Sequence, residues 1–415
     1  MPPVRRIGKN LVFKTATELI ARVLSFAFYI VLARWLGEAA FGTFSLLYSV
    51  TAIVVFLGDP GLNILLIRQA SRDSDFLENM AGAILALKAL LCVAVIIVSS
   101  GYGYLAGYDL KMIGLFGLMG ANMAAFSLAD YAGAIFQSKE KMHIETVLMG
   151  AGKITVTGAA IMAMLFGSDI AITLIIMTVA QITATTAILT WTARYGVNIK
   201  PRWSARSWRN LLRQAWPLAL ILFFTIAFYR IDIALAPLLG VGLQQIGIYS
   251  AAIKLVDLSL VFPTLVMAAA FPTLSRMADE EYGQFKKWMN IIIASLGLIG
   301  LLIGGAIIPL SHNIIDLVFG PRFVSAGKPL VLLAMAMTFM FIRHAALNAL
   351  IIVGASYNTV LLVAGALFVN ISLNILLVPL AGITGAATAK LVTDIALTIG
   401  ALLVWLRVSG KTGET

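Results

Sequence analysis

Apolar residues in this chain come in long unbroken runs, not in alternation with polar ones. Twelve runs centre on residues 11–33, 43–67, 79–100, 112–136, 144–167, 170–193, 214–238, 246–274, 287–309, 329–353, 359–380 and 383–406. Each approaches the ~20 residues a helix needs to cross a bilayer core. Barrel strands would alternate lipid-facing and lumen-facing residues over short segments, whereas stretches such as Leu296–Pro309 and Ile371–Leu380 are continuous. The pattern predicts an all-α integral membrane protein with twelve transmembrane helices and little chain outside them. The basic start from Met1 to Lys14 resembles a signal peptide. The run behind it is too long for a cleaved segment and carries Glu18 and Arg22, so it reads as the first span.

Composition agrees. Hydrophobic residues make up 60% of the 415 and charged residues only 12%, against roughly 45–50% and 25% in ordinary soluble domains. The net charge of +11 raises the question of nucleic acid, and its placement answers it. With an even number of spans the termini share a side. On that side fall 19 of the 30 Lys and Arg, 4 fall on the other, and 7 lie within spans. This bias places both termini in the cytoplasm of a plasma (inner) membrane protein, and no nucleic-acid partner is needed to explain the charge. The longest cytoplasmic segment, 194–213, is rich in Arg and interleaved with Trp203 and Trp208. It reads as an amphipathic linker at the headgroup layer, between an N-terminal lobe of 1–193 and a C-terminal lobe of 214–415.

The lobes carry copies of one motif. Leu32-Ala33-Arg34-Trp35-Leu36-Gly37 precedes Phe41-Gly42-Thr43-Phe44-Ser45; Leu235-Ala236-Pro237-Leu238-Leu239-Gly240 precedes Ile246-Gly247-Ile248-Tyr249-Ser250. Both lie at the junction of their half's first two spans. Six spans per half is an even number, so the repeat is parallel, an architecture in which two bundles rock to give alternating access.

Charges within spans are costly and mark function unless neutralised. Glu18 with Arg22 and Lys390 with Asp394 are spaced i, i+4, and Lys254 with Asp257 is spaced i, i+3, so each pair can neutralise itself on one helix face. Lys88, Lys153 and Arg343 have no acid at that spacing, Asp130 has no base, and Arg230 and Asp232 point to different faces. Arg22, Phe26 and Tyr29 map through the repeat onto Thr225, Tyr229 and Asp232, one helical face in each half. The candidate substrate-binding set is therefore Arg22, Lys88, Lys153, Tyr229, Arg230, Lys254 and Arg343. Several cations around one site would favour an anionic ligand such as a phosphate. Glu18, Asp130 and Asp232 are candidates for taking up a coupling H+ or Na+.

Gly58-Asp59-Pro60-Gly61 interrupts the second run, and Pro263 lies in the eighth. Pro60, Gly61 and Pro263 are hinge candidates, with static kinks as the alternative. His143, His312 and His344 are scattered without metal-ligand spacing, so no metal is expected. No Gly-rich nucleotide loop and no sizeable loop for catalysis is present, so no enzyme, no catalytic residue and no organic cofactor are expected.

Beyond these readings, the opening helix ending in Leu-Ala-Arg-Trp-Leu-Gly, followed by Phe-Gly-x-Phe-Ser, resembles the start of Wzx-type polysaccharide flippases. These belong to the multidrug/oligosaccharidyl-lipid/polysaccharide exporter superfamily. Gly58-Asp59-Pro60-Gly61-Leu62 with Arg68, Tyr229-Arg230-Ile231-Asp232, Phe319-Gly320-Pro321-Arg322-Phe323, Asn370-x-x-x-Asn374, Pro379, Gly382 and Gly385-Ala386-Ala387 resemble further elements in the same order. The resemblance covers nearly the whole chain. It implies two six-helix lobes that move a polyprenyl-diphosphate-linked oligosaccharide from the cytoplasmic to the outer leaflet for cell-surface polysaccharide. Membrane lipids, a polysaccharide polymerase and glycosyltransferases are the implied partners. The alternatives are a cation-coupled multidrug antiporter and a membrane glycosyltransferase or polymerase. The first would need a cavity ruled by acids, the second a catalytic acid near a large loop.

Overall fold

The computed structural model describes the backbone of residues 3–195, 197 and 199–411. Side chains are described for 23–73, 75–195, 197, 199–216, 219–220 and 222–410. Glu18 and Arg22 lie outside the described side chains. The elements run α1 (Pro3–Val54), α2 (Leu62–Ala70), α3 (Ser74–Leu105), α4 (Leu110–Ser138), α5 (Met142–Leu165), α6 (Ile170–Arg194), α7 (Ala205–Leu235), α8 (Leu243–Ser259), α9 (Val261–Glu280), α10 (Tyr282–Phe319), α11 (Gly327–Ile352) and α12 (Ser356–Lys411). Short 3₁₀ turns cover Val55–Leu57, Ala236–Leu239 and Pro321–Ala326, and the described residues contain no strand.

Helix α12 has 56 residues, about 84 Å at 1.5 Å per residue. That is more than twice the ~30 Å of a bilayer core, so it folds back. The fold-back is at Gly382, with φ 56 and ψ −134, a conformation a Cβ would oppose. Antiparallel packing follows: Asn370 Nδ2 donates to Thr393 Oγ1 at 3.4 Å across the turn. The 52-residue α1 divides in the same way at Gly37, φ 82. With α2 continuing the second span after its break, and α8 and α9 together forming the eighth, the described backbone provides twelve spans. Connections are short, and three of them end in aspartate caps. Asp73, Asp109 and Asp169 accept hydrogen bonds from the backbone N–H of Asp75, Met112 and Ile172, opening α3, α4 and α6.

The chain divides into two compact units. The first takes in residues up to 36 with 46–226, the second 37–45 with 227 onward. In the first unit Leu62, Leu65 and Leu66 of α2 pack with Leu77, Ala81 and Ile84 of α3 and with Leu211 and Ala215 of α7. Trp208 Nε1 donates to Ala83 O at 3.0 Å, and Arg202 N–H to Gly82 O at 3.0 Å. Leu211 and Trp208 of the basic 194–213 region are thus packed on protein, while Trp203 stays exposed.

In the second unit the two motif copies meet. A Cβ on Gly42 would collide with the Leu243 carbonyl oxygen, and one on Gly247 with that of Glu38. The two backbones therefore cross with nothing between them, and Gln244 Nε2 donates to Glu38 beside the crossing. Phe41 closes one flank against Phe319 and Phe323, ring centroids 6.0 and 5.8 Å away.

Candidate functional site

The second unit holds a concentrated set of buried charges. Arg343 projects from α11 among buried apolar neighbours, and Asp394 from the second half of α12 meets it, Nε to Oδ1 3.2 Å; the two side chains are 4% and 0% exposed. Arg343 Nη1 donates to the Tyr229 hydroxyl at 3.4 Å. Its guanidinium lies 5.2 Å from the Phe228 ring centre and 5.5 Å from that of Tyr229, favourable cation–π placement. Lys390, one helical turn before Asp394, donates to the backbone carbonyl of Phe228 at 3.0 Å and sits 4.2 Å from that ring's centre.

One turn along α7, Asp232 accepts from the Tyr249 hydroxyl at 2.8 Å and from the Ile233 N–H at 2.9 Å. Asp257 is shared: Arg230 Nη1 lies 3.5 Å from its Oδ2 and Lys254 Nζ 4.0 Å. Tyr229, Asp232, Asp257 and Lys390 line a cavity of about 20 Å³, room for about one water. Among the described residues four cations (Arg230, Lys254, Arg343, Lys390) stand here against three carboxylates (Asp232, Asp257, Asp394). Arg343 Nε and Nη2 and both carboxylate oxygens of Asp394 make no hydrogen bond among the described residues, although buried polar groups rarely go without one.

The first unit carries a separate network of opposite balance. Lys88 of α3, fully buried, lies 3.0 Å from Asp59 Oδ2 and donates to Asn63 Oδ1 at 3.0 Å. Asn63 Nδ2 donates to Asp130 of α4 at 2.7 Å, and its N–H to Asp59 Oδ1 at 3.2 Å. One lysine thus ties the Gly58–Gly61 break of the second span to α3 and, through Asn63, to α4. Lys153 is half-buried on α5 and makes no ion pair among the described residues.

The structure therefore brings Tyr229, Arg230, Asp232, Lys254 and Arg343 into one neighbourhood and places Lys88 and Asp130 in another. Pro60 and Gly61 form the break that Lys88 secures. Pro263 sits in the first turn of α9, just after α8 ends at Ser259, so the eighth span is broken beside Asp257. Pairing differs from the spacing pattern in two places: Asp394 meets Arg343 rather than Lys390, and Asp257 is shared with Arg230. Asn63 and Tyr249 joined the networks without being singled out from sequence. Asn63 is neutral, although its i, i+4 spacing from Asp59 was visible, and Tyr249 lies in the repeated Gly-x-Tyr-Ser element. Among the described residues no group of three or more His, Cys, Asp or Glu could hold a metal ion.

Twelve apolar spans in a two-unit helical fold, with charge networks inside the spans, define a polytopic membrane protein. Solved structures share the fold. The lipid II flippase MurJ in an inward closed conformation superposes with TM-score 0.76 at 14% identity, covering 95% of this chain and 87% of that one. An inward-facing multidrug resistance transporter of the MATE family and MOP superfamily gives 0.69 at 12% identity over 96% of each chain. A MOP superfamily transporter from Pyrococcus furiosus gives 0.65 at 14% identity, covering 98% and 97%. In sequence, the chain is 28% identical over 181 residues to the Haloferax volcanii protein named "Probable flippase AglR", 39% of this chain and 34% of that protein. The match spans about a third of that relative's length. Residues 7–278 match the polysaccharide biosynthesis protein family, and the chain belongs to it.

Proposed function

We propose that this protein is a flippase. Its cargo is a polyprenyl-diphosphate-linked oligosaccharide, carried from the cytoplasmic to the outer leaflet of the plasma membrane by alternating access. The observation that carries the cargo's charge is the cluster around Arg343: among the described residues, four buried or half-buried cations stand against three carboxylates. That balance suits a phosphate, and Arg in particular presents a planar fork to it. Family membership and the flippase named among the relatives support the same reading.

In this reading Arg343 and Lys390 receive the diphosphate, with Tyr229, Arg230 and Lys254 beside them. The phosphate competes with Asp394 for Arg343, so loading and release become an exchange of one anion for another without a bare buried charge at any stage. Lys153 stays a candidate contact on the first unit. Lys88 holds the broken second span and is a positioning residue. Asp232 and Asp130 are candidates for a coupling H+ or Na+, and Pro60, Gly61 and Pro263 for flexing. A multidrug antiporter for cationic drugs would need the reverse charge balance at the second-unit cluster. The polymerase and glycosyltransferases that make and consume the glycan are the expected partners, and both termini face the cytoplasm.

Deleting the gene tests this. The expected result is loss of surface polysaccharide with accumulation of lipid-linked glycan on the cytoplasmic side, restored by the intact gene. Normal surface polysaccharide and no accumulated intermediate would overturn the reading.

A further inference from the structure

Between Asp169 and Asp232 the chain has no acidic residue, yet it carries Arg194, Lys200, Arg202, Arg206, Arg209 and Arg213. At 100° per residue, Arg206, Arg209 and Arg213 of α7 fall within about 60° of one another, with Trp216 at the edge of the same stripe. Leu211 and Ala215 lie on the opposite face and are buried. All three arginines are exposed, as are Trp203 at 71% and Trp216 at 55%. None of the three makes an ion pair among the described residues. The nearest packed elements offer Asp73, Asp75 and Glu78 at the start of α3, all exposed and none paired with the stripe.

The stripe is also held in place. Gly82 lets the Lys200 carbonyl approach where any Cβ would collide with it. The Arg202 N–H and Trp208 Nε1 bonds to α3 then fix the helix's rotation. Because the apolar face is already spent on α2 and α3, only the basic face and the tryptophans are offered outward. Helix α7 continues into the apolar run of 214–238, which follows Arg213 directly in the sequence. That adjacency puts the arginines at headgroup depth, where tryptophan also concentrates.

We propose that this stripe binds anionic phospholipid headgroups, with Arg206, Arg209 and Arg213 each taking a phosphate and Trp203 and Trp216 seated at the lipid boundary. An RNA or an acidic protein would have to reach the same arginines at the bilayer edge, where lipid phosphate is already at hand. Each basic group beside an anionic membrane surface strengthens association about five-fold.

The test uses the full chain in neutral detergent with equimolar phosphatidylglycerol and phosphatidylcholine, the bound lipids counted by native mass spectrometry. Wild type is expected to retain phosphatidylglycerol preferentially, less so in 0.5 M salt. R206Q/R209Q/R213Q is expected to lose at least ten-fold of that preference with an unchanged melting midpoint, and R206K/R209K/R213K to keep part of it. The single variants give a graded loss and stand in should the triple variant unfold. Equal retention of the two lipids by wild type, or an undiminished preference in the glutamine variants, would overturn the proposal. So would loss of a bound RNA or acidic protein without any change in lipid.

Discussion

A guanidinium at 4% exposure needs a counter-charge, and Asp394 supplies it for Arg343 at 3.2 Å. Removing one partner of such a pair strands the other, costing roughly 3–5 kcal/mol, whereas removing both is far milder. Asp394→Asn is therefore expected to lower the melting midpoint of the purified protein more than Arg343→Gln/Asp394→Asn does, while neither restores surface polysaccharide. Arg343→Ala strands Asp394 in turn and is expected to abolish surface polysaccharide, with lipid-linked glycan accumulating, even in cells whose level of the variant is matched to wild type; Arg343→Lys is expected to keep a fraction of it. Normal polysaccharide in the alanine variant would remove Arg343 from the cargo site. The cation itself stood out in sequence, set between Phe341-Ile342 and His344 with no acid one turn away. Its partner did not. Asp394 lies on another span and Lys390 was nearer in sequence, so helix spacing pointed to the wrong pairing. Asp59 and Lys88 escaped for the same reason: ion pairs between helices depend on how spans pack, and hydropathy does not encode that.

At the scale of elements, the apolar runs were enough to place every span, because helices in lipid must satisfy their own backbone and so declare themselves by length. Turns without polar residues were harder to see. The runs 359–380 and 383–406 are separated by two residues, and the reversal between them rests on the left-handed backbone of Gly382. The repeat was readable at the level of letters, but that its two glycines touch was not. Gly42→Ala puts a methyl group into the Leu243 carbonyl, and Gly247→Ala one into that of Glu38. Each is expected to cost at least about 1–3 kcal/mol through forced separation of the helices, seen as a lower melting midpoint and less folded protein. Gly305→Ala, where an added methyl meets nothing within 4 Å, is expected to leave the midpoint in place.

For the whole molecule, charge asymmetry between loops predicts sidedness, and sidedness can be read directly. Cys92, the single cysteine, is buried and gives a silent background. A membrane-impermeant maleimide is expected to label Ser168→Cys in intact cells and Asn210→Cys only in inverted vesicles; the reverse pattern would overturn a cytoplasmic location for both termini. The two networks also differ in sign among the described residues: one lysine against two carboxylates in the first unit, four cations against three in the second.

The crossing of Gly42 with Gly247 pairs two positions that are equivalents of each other, which is the form of a contact across a two-fold axis. In a half-length chain that self-associated, one codon would set both sides of that contact, and a single bulky replacement would have been felt twice. In the single polypeptide each side is set by its own codon, and the bareness of both shows how little room the meeting of these backbones leaves for anything larger than hydrogen.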